Sequence, residues 1–151
     1  MSPSPSTRAS LGADLLGVVA RLNRLATQRT RLEMPWAQAR LLGTIEDQGP
    51  TRISDLAALD HCSQPTMTMQ VRRLEDAGLV TRTPDPADAR AVLIEITPQG
   101  TEMLRQVRAA RAAVIDPHIA ALGTNDRRTL SEAVHVLQRL LDRTASSPTT
   151  N

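Results

Sequence analysis

Leu11, Leu15, Val18, Leu22 and Leu25 recur at steps of four, three, four and three, which places them on one stripe of a helix with Ser10 in position to cap it. Such a stripe is a seam for another helix. Pro35 suits the first turn of a second helix, which runs past Leu41, Leu42 and Ile45 to the stop signal Gly49-Pro50. A short third helix from Arg52 to Leu59 turns Ile53, Leu56 and Ala57 inward, and the polar stretch from Asp60 to Ser63 breaks it. Ser63 then caps a fourth helix with Pro65 in its first turn, extending to Ala77 before Gly78 supplies a left-handed end. Its apolar residues Met67, Val71 and Leu74 share one side. Pro65, Thr66, Thr68, Met69, Arg72 and Arg73 are left pointing outward or to the flanks.

Two β-capable runs follow, Leu79 to Thr83 and Arg90 to Ile96, around a Pro/Asp-rich loop from Pro84 to Ala89, and together they predict a hairpin. Thr97-Pro98 opens a long fifth helix carrying Met103, Leu104, Val107 and Val114, which Asp116-Pro117 is expected to kink or divide. A last helix from about Thr124 to Arg143 presents Leu130, Val134, Leu137 and Leu141 at steps of four, three and four. Residues 1–9 and 144–151 are rich in Ser, Thr and Pro and are expected to be disordered tails. The predicted fold is mainly α with a small β-hairpin wing. Helix, short helix, tight link, helix and hairpin, in that order, make a winged helix-turn-helix over residues 35–97, flanked by helical segments at 10–34 and 98–143 whose Leu/Val stripes close either a core shared with a second copy, which would make them dimerisation segments, or a monomeric one.

Composition sharpens this only in part. A chain of 151 residues is long enough for one core, and with one Trp, no Phe and no Tyr that core must be aliphatic, which suits helix packing. All eighteen basic residues are Arg, and the pI of about 9.8 reflects the lack of Lys and Tyr to titrate between His and Arg. The net charge of +2 is the better guide, and it is too small to name a partner. Within residues 51–97 the five Arg at 52, 72, 73, 82 and 90 face seven acids at 55, 60, 75, 76, 85, 88 and 95, a formal −2. Bulk attraction therefore does not locate DNA there. The Arg residues must gather toward the duplex while acids pair or face away, and a shallow salt dependence is expected. One cysteine, no apolar run of membrane-spanning length and no signal-like apolar segment near the start lead to the expectation of a cytoplasmic protein.

The fourth helix carries the candidate chemistry. The hydroxyls of Ser63, Thr66 and Thr68 and the Gln64 amide can bond base edges, Thr and Met side chains can touch a thymine methyl, and Arg72 and Arg73 can hold phosphate or guanine. Ser63-Gln64-Pro65-Thr66-Met67-Thr68 and the run from Arg73 to Arg82 resemble the recognition helix and first wing strand of the multiple-antibiotic-resistance-regulator (MarR) family. Asp85-Pro86-Ala87-Asp88-Ala89-Arg90-Ala91, ending in Ile94-Glu95-Ile96-Thr97-Pro98-Gln99-Gly100, resembles its wing, and the likeness extends from about Leu11 to Asp142. The resemblance implies a homodimer built from the first and last two helices, reading successive major grooves of a pseudo-palindromic double-stranded operator. It also implies that Arg90 reaches into the minor groove from the wing with Asp88 orienting it. At Met69 the family commonly carries Arg, and Arg72, three residues on, is placed to substitute for it.

The same resemblance implies a repressor released by a small aromatic or phenolic effector, with Asn23, Arg24, Trp36 and Arg40 falling where the effector cleft would form. Cys62, just ahead of the fourth helix, is a candidate redox sensor, although it is not placed like the N-terminal cysteine of the family's peroxide-responsive branch. An idle thiol is the alternative. His61, His118 and His135 are scattered without a Cys or His pair, so no metal and no cofactor is expected. No phosphate-cradling glycine loop or nucleophile elbow is present, and Cys62 beside His61 on a short link is a poor catalytic pair, so the chain is not read as an enzyme. The competing class is a degenerate winged helix that binds protein instead of DNA, motivated by Met69 and the negative winged region.

Overall fold

The computed structural model describes residues 5–145, with side chains described over residues 11–144. Among these, six helices flank one antiparallel hairpin: α1 (Pro5–Arg29), α2 (Trp36–Gln48), α3 (Ile53–Leu59), α4 (Gln64–Asp76), β1 (Val80–Asp85), β2 (Asp88–Ile96), α5 (Pro98–Ala120) and α6 (Thr124–Ala145). Two compact units are present, residues 1–112 and 113–151, with the division falling inside α5.

The core of the first unit joins Leu41, Leu42 and Ile45 of α2, Leu56 and Ala57 of α3, Met67, Val71 and Leu74 of α4, Leu79, Val80 and Ile94 of the hairpin, and Leu104 of α5. Leu42, Ile45, Leu56, Met67, Val71, Leu74 and Ile94 are fully buried, each worth roughly 1.5–3 kcal/mol of transfer free energy. This aliphatic cluster is what orients α4. Its three inward residues are those that the helical period selects, and the opposite face is thereby held outward.

Several boundaries differ from the sequence reading. α1 begins at Pro5, so Ser10 lies inside the helix and does not cap it, and residues 5–9 are helical in place of a disordered tail. The expected tail from Thr144 lies mostly outside the described residues. The hairpin strands run through Pro84, Asp85 and Asp88, leaving only Pro86 and Ala87 between them. Pro84 is tolerated because a two-stranded sheet is all edge. Ile94 also pairs with Thr51 through Thr51 N–H to Ile94 O at 3.1 Å and Ile94 N–H to Thr51 O at 2.7 Å, which fastens the start of α3 to the wing. Pro117 does not divide α5: it stands in the last turn, where the donor it lacks ends little helix.

At the base of the wing, Gly78 adopts φ 74° and ends α4 in the left-handed region. Thr97 Oγ1 donates to Gly78 O at 2.7 Å and accepts from Gly100 N–H at 3.1 Å, capping α5 and locking it to that turn. Gly100 permits this close approach, because a Cβ there would lie 2.1 Å from Leu79 O.

Candidate nucleic-acid interface

Ser63 caps α4 in extended conformation, its Oγ accepting from Thr66 N–H at 3.3 Å and sharing a 2.8 Å hydrogen bond with Thr66 Oγ1. Both hydroxyls are thus partly committed to holding the helix start. Cys62 precedes the cap and packs against the core cluster that includes Met67, the residue pairing of a hydrophobic staple. The preceding His61 sits at φ 50°, a left-handed residue that turns the chain from α3 into α4. From this start Gln64, Pro65, Thr66, Thr68, Met69, Arg72 and Arg73 are all exposed. The side chain set against Met69 is Arg73, whose Nη2 lies 3.9 Å from Met69 Sδ. Arg73, and not the expected Arg72, is thus the cation that contacts Met69.

On the wing, Asp85 is the organising residue, and sequence reasoning missed it. It is 8 % exposed and accepts from Ala87 N–H at 2.9 Å and from Arg52 Nε at 2.8 Å and Nη2 at 2.5 Å. The Ala87 N–H and then the Arg52 guanidinium hold its carboxyl below the usual carboxylate range, and Asp85 in turn raises the Arg52 guanidinium. Asp88 accepts from Arg90 N–H at 3.0 Å, so it orients the Arg90 backbone at the exposed wing tip.

The charge arithmetic resolves residue by residue. Arg52 pairs with Asp85, Arg82 with Glu75 at 3.0 Å, and Arg40 of α2 with Asp60 at 2.8 Å. Arg72, Arg73 and Arg90 have no carboxylate partner among the described residues. Within residues 51–97 these are the cations left over, exposed on α4 and the wing tip, while Asp55, Asp76, Asp88 and Glu95 are the acids in no ion pair with an arginine.

The four effector candidates do not form one group. Asn23 and Trp36 are joined by a residue that sequence reasoning overlooked, Arg111 of α5. Its guanidinium lies 3.9 Å from the centroid of the Trp36 ring and donates to Thr27 Oγ1 at 2.7 Å and Asn23 Oδ1 at 3.0 Å. Desolvation lowers the Arg111 pKa. Arg111 continues the inward series Leu104, Val107, Arg111, Val114 at steps of three, four and three, a signal that could have found it. Arg24 is exposed on α1 and is not among its partners, while Arg40 is taken by Asp60. A pocket of about 180 Å³ in the same unit is lined by other residues, including Arg31, Leu32, Glu33, Met103, Gln106 and Val107. Among the described residues no group of three or more His, Cys, Asp or Glu could hold a metal ion, and no helix is long and apolar enough to cross a membrane.

Comparison with known proteins agrees with this architecture. The MarR family model matches residues 34–92. The chain is 30% identical over 135 residues to the HTH-type transcriptional regulator Mb0904 of Mycobacterium bovis, covering 89% of this chain and 94% of that protein. It is 26% identical over 101 residues to the HTH-type transcriptional repressor NicR of Pseudomonas putida, covering 67% of this chain and 62% of that one. The crystal structure of transcriptional regulator Tm0710 from Thermotoga maritima superposes with a TM-score of 0.67 at 28% identity, over 96% of this chain and all of that chain. An aliphatic winged helix-turn-helix, a polar outward face on α4 and a relative aligned nearly end to end lead to one conclusion: the chain belongs to the MarR family of DNA-binding transcriptional regulators.

Proposed function

We propose that the protein is a cytoplasmic homodimer that represses transcription from a pseudo-palindromic operator and is released by a small aromatic or phenolic effector. In this reading α4 enters the major groove with Ser63, Gln64, Pro65, Thr66, Thr68, Met69, Arg72 and Arg73, and Arg90, its backbone held by Asp88, reaches the minor groove. The observation that carries it is the pattern of charge pairing. Arg52 and Arg82 are tied to acids, whereas Arg72, Arg73 and Arg90 stand exposed without a carboxylate on the elements that would meet DNA.

Dimerisation through residues 10–34 and 98–143 is supported by apolar side chains left exposed on α1 (Leu11, Val18, Leu22) and α6 (Leu130, Val134, Leu141). Repression is supported by the name of one relative, and cytoplasmic residence by the single unpaired cysteine. An effector acts only if it binds one spacing of the two recognition helices better than the other. The Arg111 bridge from α5 to Trp36 and Asn23 is where an aromatic ligand would compete. Titration of the purified protein against its own upstream DNA, with and without Arg90→Ala, tests the reading. A sequence-specific complex weakened roughly tenfold or more in the variant is expected, and equal binding by the two proteins would refute the assigned role of the wing.

A further inference from the structure

α4 turns a large apolar side chain into the middle of an otherwise polar face. At about 100° per residue, Met69 lies roughly 190° around the helix from the mean direction of Met67, Val71 and Leu74. It therefore faces away from the core, as Asp76 does two turns further on, and it is 54 % exposed and outside the hydrophobic cluster. Thr68, by the same geometry, sits on the flank. What contacts Met69 is Arg73 Nη2, 3.9 Å from Sδ, a cation without a carboxylate partner among the described residues.

In the major groove the feature that an apolar side chain reads is the thymine 5-methyl, which cytosine lacks at the same position. We propose that Met69 is a specificity-determining residue that selects a T·A pair in each half-site by packing on that methyl group, with Arg73 held beside it against the DNA. The proposal rests on the reading of α4 as the recognition helix. It differs from hydrogen-bond readout by Gln64 or Thr68 in depending on a group that neither donates nor accepts.

Replacing each thymine of the footprinted upstream half-site in turn by deoxyuridine removes only the methyl. Affinity is expected to fall about fourfold at one thymine per half-site, the worth of one buried methyl-sized group. In Met69→Ala, with circular dichroism checking that the fold is kept at this exposed site, thymine and uracil at that position should bind alike. Met69→Arg should move the preference there toward guanine. Discrimination that persists in Met69→Ala, that is lost in Thr68→Ser instead, or that appears at no thymine overturns the proposal. If specific binding survives and still falls in Arg90→Ala, those results overturn this proposal alone. Absence of any sequence-specific complex overturns it together with the reading of α4.

Discussion

The Arg52 guanidinium at the start of α3 grips the Asp85 carboxylate in the wing, through Nε at 2.8 Å and Nη2 at 2.5 Å, while the other carboxylate oxygen holds the Ala87 N–H. One side chain thus shapes the hairpin turn and ties it to the helix-turn-helix. Asp85→Ala should lower the melting temperature and weaken DNA binding together, whereas Arg90→Ala, at an exposed tip, should weaken binding alone. Thermal melts of the two variants, paired with titrations, check the separation.

Asp85 and a second carboxylate, Glu102 of α5, make stability fall with acid. Glu102, bonded first by Arg105 and then by Gln106, is lowered to about 2, and Asp85 is also depressed. A depressed folded-state pKa means that the unfolded chain takes up the proton first, so this stabilisation is complete above the ordinary carboxylate range and is lost as pH falls. For Glu102 the window runs from its ordinary 4.5 down to about 2. Melting temperatures measured across it should fall less steeply in Glu102→Gln than in the parent, and parallel curves would contradict the assignment.

Two glycines should respond to alanine with opposite signs. At Gly100 the new Cβ meets Leu79 O at 2.1 Å and Ile96 Cγ1 at 2.7 Å, so backbone must shift and a cost of about 1–3 kcal/mol or more is expected. At Gly43, inside α2, the nearest atom is Leu104 Cδ2 at 4.0 Å, and Gly43→Ala should stabilise by roughly 0.5–1 kcal/mol. Chemical denaturation of both variants measures the difference.

Ser63→Ala removes the acceptor for Thr66 N–H and should cost about 1 kcal/mol, within the usual span for a lost helix cap. Denaturant midpoints of the parent and the variant report it. An unchanged midpoint would mean that the Cys62 and Met67 packing alone holds the start of α4.

Trp36 is the single tryptophan and there is no tyrosine, so intrinsic fluorescence reports one ring. Removing the guanidinium that covers it, in Arg111→Ala, should shift the emission to the red by admitting water, and an unchanged spectrum would deny the stacking.

How much of this was legible in the sequence depended on whether a residue acts through its neighbours along the chain. Met67, Val71 and Leu74 could be placed because helical period, the Ser63 cap and Gly78 all agree within one short segment. Asp85 and Pro84 read as loop, because their strand character comes from pairing with Asp88 and Val92 across the hairpin and from Arg52, 33 residues away. Thr51 pairs as a single residue, which leaves no periodic trace. Arg111 sits 84 residues from Thr27, and only its place in an apolar series hinted that a guanidinium was turned inward. The cations of the candidate interface likewise stood apart only when Arg52 and Arg82, the other arginines of residues 51–97, were seen to be paired with acids.

Hydroxyl-radical footprinting of the protein on its own upstream DNA tests most directly the claim that two copies of α4 read one operator. Two protected half-sites of related inverted sequence, their centres one helical turn apart at about 34 to 36 Å, are predicted. A single protected patch without an inverted partner, or protection that does not depend on sequence, would contradict it.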